Sequence, residues 1–329
     1  MSTAAKIAVI PGDGIGSEVT EAALKVLDAT GVALDYTSYD AGDYCLEKMG
    51  VALPDETLAG ALEAQAVLFG AAGASAAEVI LRLRAELGTY VNLRPAKAFK
   101  GVECLYPDCD LMIVRENTEC LYSGIESVLT HEVATATRII TREASLRIAK
   151  QAFEYARANG RKLVTAVHKV NVLRKTDALF LECCQEVAKD YQDITYEEGL
   201  VDSVAMRLVM EPSAYDVLVT TNLFGDILSD LAAGLIGGLG LCPSANLGDE
   251  SALFEPVHGS APDIAGQGLA NPAAAIMCGA MLLRHLGEIS AAERVEAALA
   301  QAIADKASTA DLGGDLKTMG MAQAVIDRM

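Results

Sequence analysis

Short runs in which nearly every position is apolar alternate along the chain with longer runs in which apolar residues return every three or four positions. KIAVI (6–10) precedes GSEVTEAALKVLDAT (16–30), AVLFG (66–70) precedes AEVILRLRAEL (77–87), and DLMIVREN (110–117) precedes ASLRIAKQAFEYARANG (144–160). KLVTAVHK (162–169) then leads to TDALFLECCQEVAKDY (176–191), and YDVLVTTN (215–222) runs into NLFGDILSDLAAGLIGGLGL (222–241). Continuous apolar runs suit strands buried on both faces, and their alternation with helical periods suits βαβ units. The pattern therefore predicts an α/β protein with a largely parallel sheet. In the 144–160 segment Leu146, Ile148, Ala149, Ala152, Phe153 and Ala156 keep the helical period, and Gly160 supplies a stop. No repeat or Pro/Ser-rich linker marks a boundary.

Composition narrows this picture. A chain of 329 residues exceeds what one hydrophobic core usually supports, so two domains are expected. Hydrophobic residues make up 52% and aromatic ones only 5%, which favours α/β over a sandwich of short strands. The longest apolar stretches, near 231–241 and 273–283, are shorter than the roughly 18 residues a membrane span needs, so no membrane partner is expected. The opening MSTAAKIAVIPGDGIG reads as a loose start, a strand and a glycine turn rather than a signal peptide, so a cytoplasmic location is expected. Eight cysteines without CxxC spacing read as reduced, mostly buried thiols. A net charge of −19 argues against nucleic acid as a partner. It also means that arginines must reverse the local potential if the ligand is an acidic metabolite.

Several stretches carry candidate chemistry. PGDGIGSEV (11–19) sits between strand and helix, but Ser17 stands where a dinucleotide fingerprint has its third glycine, so a tight turn and a ligand loop explain it equally. Arg84 and Arg94 flank a helix end and Arg115 follows a strand. Solvated helix arginines are the ordinary reading of such residues, yet guanidinium forks at strand ends suit capture of carboxylates. Tyr122 lies in a glycine-containing turn, and Lys169 ends a strand beside His168 and Asn171. Alone, each would pass as packing or surface. Asp226 and Asp230 stand at i and i+4 on one helix face. Capping explains Asp226 by itself, but two like charges ahead of an apolar continuation favour a divalent cation, and all-oxygen ligation favours Mg²⁺ or Mn²⁺. Asp202, in GLVDSVAMRLV, is a plausible third carboxylate.

Taken in order, PGDGIG, LRAELGTYVNLRPAK, VRENTECLYSGIE, VHKVNV, NLFGDILSDLAAGLIGGLG and FEPVHGSAPDIAGQGLANP resemble the β-decarboxylating dehydrogenases, the family of isocitrate, 3-isopropylmalate, homoisocitrate and tartrate/malate dehydrogenases. The match spans nearly the whole chain. The resemblance implies the isopropylmalate dehydrogenase-like two-domain α/β fold, which is not a Rossmann fold, and a homodimer with shared active sites, or a tetramer built from it. One domain would comprise 1–97 plus 237–329, with both termini and most of the NAD site. The other would comprise 98–236, with the dimer contact and the metal aspartates. Carried over position by position, Arg84, Arg94 and Arg115 would bind the malate carboxylates of a small-molecule substrate. Asp226 and Asp230 of one subunit and Asp202 of its partner would hold Mg²⁺ or Mn²⁺ and, through it, the substrate. Tyr122 would face Lys169 and Asn171 of the partner subunit, with Lys169 as base and Tyr122 as the acid that protonates the enolate.

The resemblance also suggests the ligands. Asp263 falls on the adenosine-ribose position, where a carboxylate accepts ribose hydroxyls and repels a 2′-phosphate, which points to NAD rather than NADP. Glu255, His258, Gly259, Ser260, Ala261 and Asn271 would complete that loop. On the helix carrying Arg84, residues 77, 80, 81 and 84 should share the face that meets the substrate's variable group. Isocitrate-specific members place Ser and Asn at the positions of Glu78 and Ile80, and some homoisocitrate enzymes place Arg at Leu81. Here Ile80 and Leu81 offer an apolar wall and Glu78 would repel a third carboxylate. The stretch looks most like the 3-isopropylmalate branch, some members of which accept 3-methylmalate, and implies NAD-dependent conversion of 3-isopropylmalate to 2-oxoisocaproate in leucine biosynthesis. Homoisocitrate and isocitrate are the alternatives, since RENTECLYSGIE is closer to their wording. A regulatory subunit of a heteromeric dehydrogenase is the non-enzyme alternative. It is disfavoured because Tyr122, Lys169, Asp202, Asp226 and Asp230 are all present.

Overall fold

The structure, a computed structural model, describes residues 4–329. The chain forms two compact units. One takes the residues up to Thr89, Ala98–Pro107 and Ile236–Met329, and the other takes Tyr90–Lys97 and Asp108–Leu235. The grouping differs from the expected ranges 1–97 plus 237–329 and 98–236, because 90–97 and 98–107 each fall in the opposite unit and the central unit ends at residue 235. The strand Val91–Lys97 belongs to the central unit because it pairs antiparallel with Asp110–Glu116 along its whole length, and 98–107 returns to the terminal unit.

In the terminal unit the strand order is Leu34–Ser38, Ala5–Gly12, Ala66–Ala71, Ala252–Pro256, Pro243–Leu247, with the last pair antiparallel and the others parallel. Ala66–Ala71 is buried at every position, as expected of a strand covered on both faces. The helix Ala273–His285 packs through small residues, and a Cβ on Gly279 would stand 3.2 Å from Leu27 of the helix Gly16–Ala29, so these two helices approach closely there.

The central unit runs Val91–Lys97, Asp110–Glu116, Val217–Thr220, Leu163–His168, Thr195–Leu200, antiparallel only in its first pair. Its long helix Arg142–Ala158 starts at Thr141, whose side chain accepts from the Ala144 N–H at 3.2 Å, and buries Ile148, Ala149, Ala152, Phe153 and Ala156 as the period predicts. Phe153 stacks on Tyr191 with ring centroids 5.0 Å apart. A separate hairpin, Glu126–Thr130 with Val133–Ala136, is exposed at every position. None of the eight cysteines is in a disulfide, and seven of them are buried. Among the described residues no helix is long and apolar enough to cross a membrane.

The uninterrupted helix expected over 77–87 is instead two pieces. Ala77–Leu81 is a single π-helical turn and Arg82–Glu86 continues as α-helix. A π turn inserts an extra residue, so positions counted at 3.6 per turn rotate off their face. Ala77 is exposed, Leu81 is half-buried, and Ile80 packs with Val79 and Leu83 into the core of the terminal unit. The shared face proposed for 77, 80, 81 and 84 is corrected accordingly, and Ile80 is mainly a core residue.

Candidate active site

The central unit assembles its chemistry where the buried strand Val217–Thr220 turns directly into the helix Asn222–Ile236. Arg115, at the end of its own strand and 1% exposed, reaches this helix start. Its Nε donates to the Asn222 carbonyl at 2.9 Å, Nη2 donates to Asn222 Oδ1 at 2.7 Å, and Nη1 donates to Asp226 Oδ1 at 2.6 Å. Room for this guanidinium stem comes from Gly225, where a Cβ would lie 2.5 Å from Arg115 Cγ. Tyr122 OH donates to the other oxygen, Asp226 Oδ2, at 2.5 Å, and the Arg115 guanidinium lies 5.0 Å from the tyrosine ring centre. Partial burial, then the Asp226 contact, push the phenol's pKa above its ordinary value against the opposing pull of Arg115.

One turn along, Arg94 is held by Asn92 Oδ1 at 2.8 Å and by Ser229 Oγ at 3.4 Å, with Asp230 Oδ1 at 4.0 Å. Asp230 remains 58% exposed at its side chain. Its carboxyl is raised chiefly by partial burial and then by the Asp226 charge, while Arg94 pulls it down. The like-charge conflict inferred from the spacing is thus present in the fold.

A second cluster lies on other elements of the same unit. Lys169 Nζ donates to Asp202 Oδ1 at 2.5 Å, and this ion pair holds the Asp202 carboxyl below its usual range. Asn171, two residues on, is exposed. Burial lowers the pKa of the neighbouring His168, whose Nδ1 accepts from the Val170 N–H at 3.2 Å. Among the described residues no three Asp, Glu, His or Cys side chains of one chain come together as a metal site. Asp202 therefore does not join Asp226 and Asp230 within a single chain.

In the terminal unit Arg84 is paired with Glu255, Nη2 to Oε1 at 2.7 Å, and Asn246 Nδ2 donates to the same oxygen at 2.7 Å. Two residues expected to serve different ligands are thus partners of each other. The 258–263 loop locks onto the first glycine turn. Ile15 N–H donates to the Ser260 carbonyl at 2.9 Å, a Cβ on Gly14 would stand 2.0 Å from that oxygen, and Ala261 adopts φ +38°. PGDGIG thus acts as the seat of the second loop. His258 Nε2 is buried with no hydrogen-bond partner, and burial lowers the imidazole's pKa. Gly259 and Asp263 are exposed. Asn271 is held by Ala273 N–H and Asp311, each at 2.9 Å.

The family model described as isocitrate/isopropylmalate dehydrogenase matches residues 6–325. The chain belongs to the isocitrate/isopropylmalate dehydrogenase family. It is 58% identical over 320 residues to a 3-isopropylmalate dehydrogenase of Archaeoglobus fulgidus, covering 97% of this chain and 98% of that one. It is 52% identical over 328 residues to a 3-isopropylmalate/3-methylmalate dehydrogenase of Methanocaldococcus jannaschii, covering 98% of each. A crystal structure of isocitrate dehydrogenase from Methylococcus capsulatus superposes with a TM-score of 0.95 at 48% identity, covering 98% of this chain and 99% of that one. The protein is a decarboxylating dehydrogenase, with the α/β fold that the family shares.

Sequence reasoning missed Asn222, which Arg115 grips through both its carbonyl and its side chain, and Asn246, which shares Glu255. Asn222 closes the quoted YDVLVTTN, so its place at the strand-to-helix junction was the available signal.

Proposed function

We propose that this enzyme oxidatively decarboxylates a 3-substituted (R)-malate, 3-isopropylmalate before homoisocitrate or isocitrate, with NAD⁺ and Mg²⁺ or Mn²⁺ in a homodimer. Carrying the reading is the Arg115–Asp226–Tyr122 arrangement, in which one carboxylate is held between a buried cation and a protonated phenol. The donor set suits a hard divalent cation, because Asp226 and Asp230 offer only oxygen and stand four residues apart on one helix. Asp202 of the partner subunit would complete the set. Once bound, the cation supplies Lewis-acid polarisation of the substrate hydroxyl and stabilises negative charge on that oxygen.

The side chains then have separable tasks. Arg94 and Arg115, already oriented by Asn92 and Asn222, would bind substrate carboxylates, as would Arg84. Lys169, once released from Asp202 and stripped of its own proton to solvent, would accept the C2 hydroxyl proton as a neutral amine, and bound NAD⁺ would supply the hydride acceptor. The C3–carboxylate bond of the resulting β-keto acid breaks, its electron pair forms the enolate, and CO₂ leaves. Tyr122 delivers its phenolic proton to C3. The exposed Asp263 carboxylate suits ribose hydroxyls and opposes a 2′-phosphate, which supports NAD.

Substrate preference is supported by the 58% and 52% identity to enzymes named for 3-isopropylmalate and by the half-buried, apolar Leu81. Exposed Val128, Leu129 and Val133 on the hairpin, with Val172, Met206, Val209, Met210 and Ile227, give the central unit apolar surface suited to a second copy. The test is a comparison of kcat/KM for 3-isopropylmalate, homoisocitrate, isocitrate and malate with NAD⁺ and Mg²⁺. Preference for 3-isopropylmalate is expected, and preference for isocitrate overturns the substrate assignment.

A further inference from the structure

One arginine with no part in the scheme above touches the segments that carry Tyr122 and Asp226 directly and reaches that of Lys169 through its partner Asp177. Arg138 lies just before the long helix, in TATRIITRE, with its side chain 12% exposed. Nε donates to Cys120 Sγ at 3.2 Å, two residues before Tyr122. Nη2 donates to Thr221 Oγ1 at 3.0 Å, one residue before Asn222 and the helix of Asp226. Nη1 donates to Thr176 Oγ1 at 2.7 Å and pairs with Asp177 Oδ1. The guanidinium carbon lies 5.3 Å from the Phe224 ring centre. Asp177 is fully buried, and its other oxygen accepts from the backbone N–H of Lys169 at 2.5 Å.

We propose that Arg138 and Asp177 are positioning residues for the reaction, a buried ion pair that ties the Tyr122 turn, the Lys169 backbone and the start of the Asn222–Ile236 helix to one anchor. The proposal rests on the reading of Tyr122 as acid and Lys169 as base. Its physical basis is the nature of a buried ion pair. Replacing such a pair with well-packed apolar residues is often neutral or stabilising, so stability alone gives little reason to keep one. A planar fork that satisfies four acceptors on three segments does fix relative positions, and an ammonium in its place cannot reach the same set. The turn it grips is also one the chain does not adopt cheaply, since Cys120 holds φ +72° without being glycine. A contact that over-determines such a turn keeps the adjoining tyrosine in a single place.

The test uses the full-length enzyme with Mg²⁺, NAD⁺ and whichever of the four acids the wild type prefers. Arg138→Lys, Asp177→Asn and the apolar double variant Arg138→Met/Asp177→Leu are compared by kcat, KM and thermal midpoint. Loss of kcat on the order of 10-fold to 100-fold is expected in each, with KM nearly unchanged, because the carboxylate-binding arginines are not touched. The double variant is expected to melt near the wild type and still lack kcat. Recovery of kcat along with stability in the double variant overturns the positioning role, as does a rise in KM at unchanged kcat. Should Arg138→Lys or Asp177→Asn fail to fold, the double variant alone decides. A wild type that reduces no NAD⁺ with any of the acids instead overturns the functional reading beneath it, which keeps the two failures distinct.

Discussion

Tyr122 keeps its proton because partial burial and the carboxylate of Asp226 both oppose its ionisation, and Arg115 only partly offsets them. A phenol in that state can donate to carbon but cannot serve as a base near neutrality. Tyr122→Phe should therefore lower kcat by about 10²-fold to 10⁴-fold, the span for loss of a positioned proton donor, while substrate affinity stays close to that of the wild type. Steady-state kinetics with substrate titration checks this, and a KM effect without a kcat effect would contradict the acid role. Asp43 offers a test of stability instead. Its carboxylate accepts N–H bonds from Ser75 at 2.7 Å and Ala74 at 2.9 Å, and the Ser75 side chain, followed by these backbone donors, holds its pKa below the usual carboxylate value. A carboxyl with a depressed folded-state pKa contributes stability above its unfolded pKa and loses it as pH falls through the folded value. Asp43→Asn should thus melt earlier at neutral pH, and its deficit should shrink below about pH 4, read by thermal melts across pH.

At the scale of elements, the helix Asn222–Ile236 sets two effects against each other. In an exposed helix interior Gly→Ala gains about 1 kcal/mol of helix propensity. At Gly225, however, the new Cβ would stand 2.5 Å from Arg115 Cγ, a side chain with almost no room to retreat, and overpacking of a tight core costs about 1–3 kcal/mol. The clash should win. Gly225→Ala is expected to lower the melting temperature and to lose most activity, because the side chain displaced is the one that orients Asp226. In the core Phe153→Ala should cost about 3–5 kcal/mol in chemical denaturation with the site left intact.

The same scale separates what the sequence makes legible from what it does not. Alternating strands and helices are recorded locally, since each buried strand and amphipathic helix bears its own period, and the family motifs point to Asp226, Tyr122 and Lys169 as candidates. Val91–Lys97 was not recognisable as a strand because Arg94 and Pro95 interrupt its apolar run, and only pairing with Asp110–Glu116 defines it. The π turn at Ala77–Leu81 leaves no periodic mark, so counting at 3.6 residues per turn misplaced Ile80. Arg138 and Asp177 are 39 residues apart and look like ordinary polar flanks of helices until the fold brings them together.

For the whole molecule, the formal charge of −19 means that the proposed di- or tri-acid substrate would approach against the average field, so association should depend on the few arginines that reverse it. Raising ionic strength should weaken that general repulsion and the arginine attraction together, which makes salt a poor probe of the site. Chain mixing is a better one. Lys169 and Asp202 pair with each other on one chain, whereas Tyr122 and Asp226 pair elsewhere on it, so in the proposed dimer each reaction centre draws one pair from each copy. A chain inactivated by Tyr122→Phe still lends an intact lysine, and one inactivated by Lys169→Met still lends an intact tyrosine. Equal amounts of the two, unfolded and refolded together, should regain about a quarter of wild-type turnover, since half of randomly paired dimers are hybrids and each hybrid has one complete centre. Refolded separately, neither should exceed the small residual activity of its own variant. The unit that natural selection acts on in this enzyme would then be the pair of chains, with each copy's fitness partly set by the other.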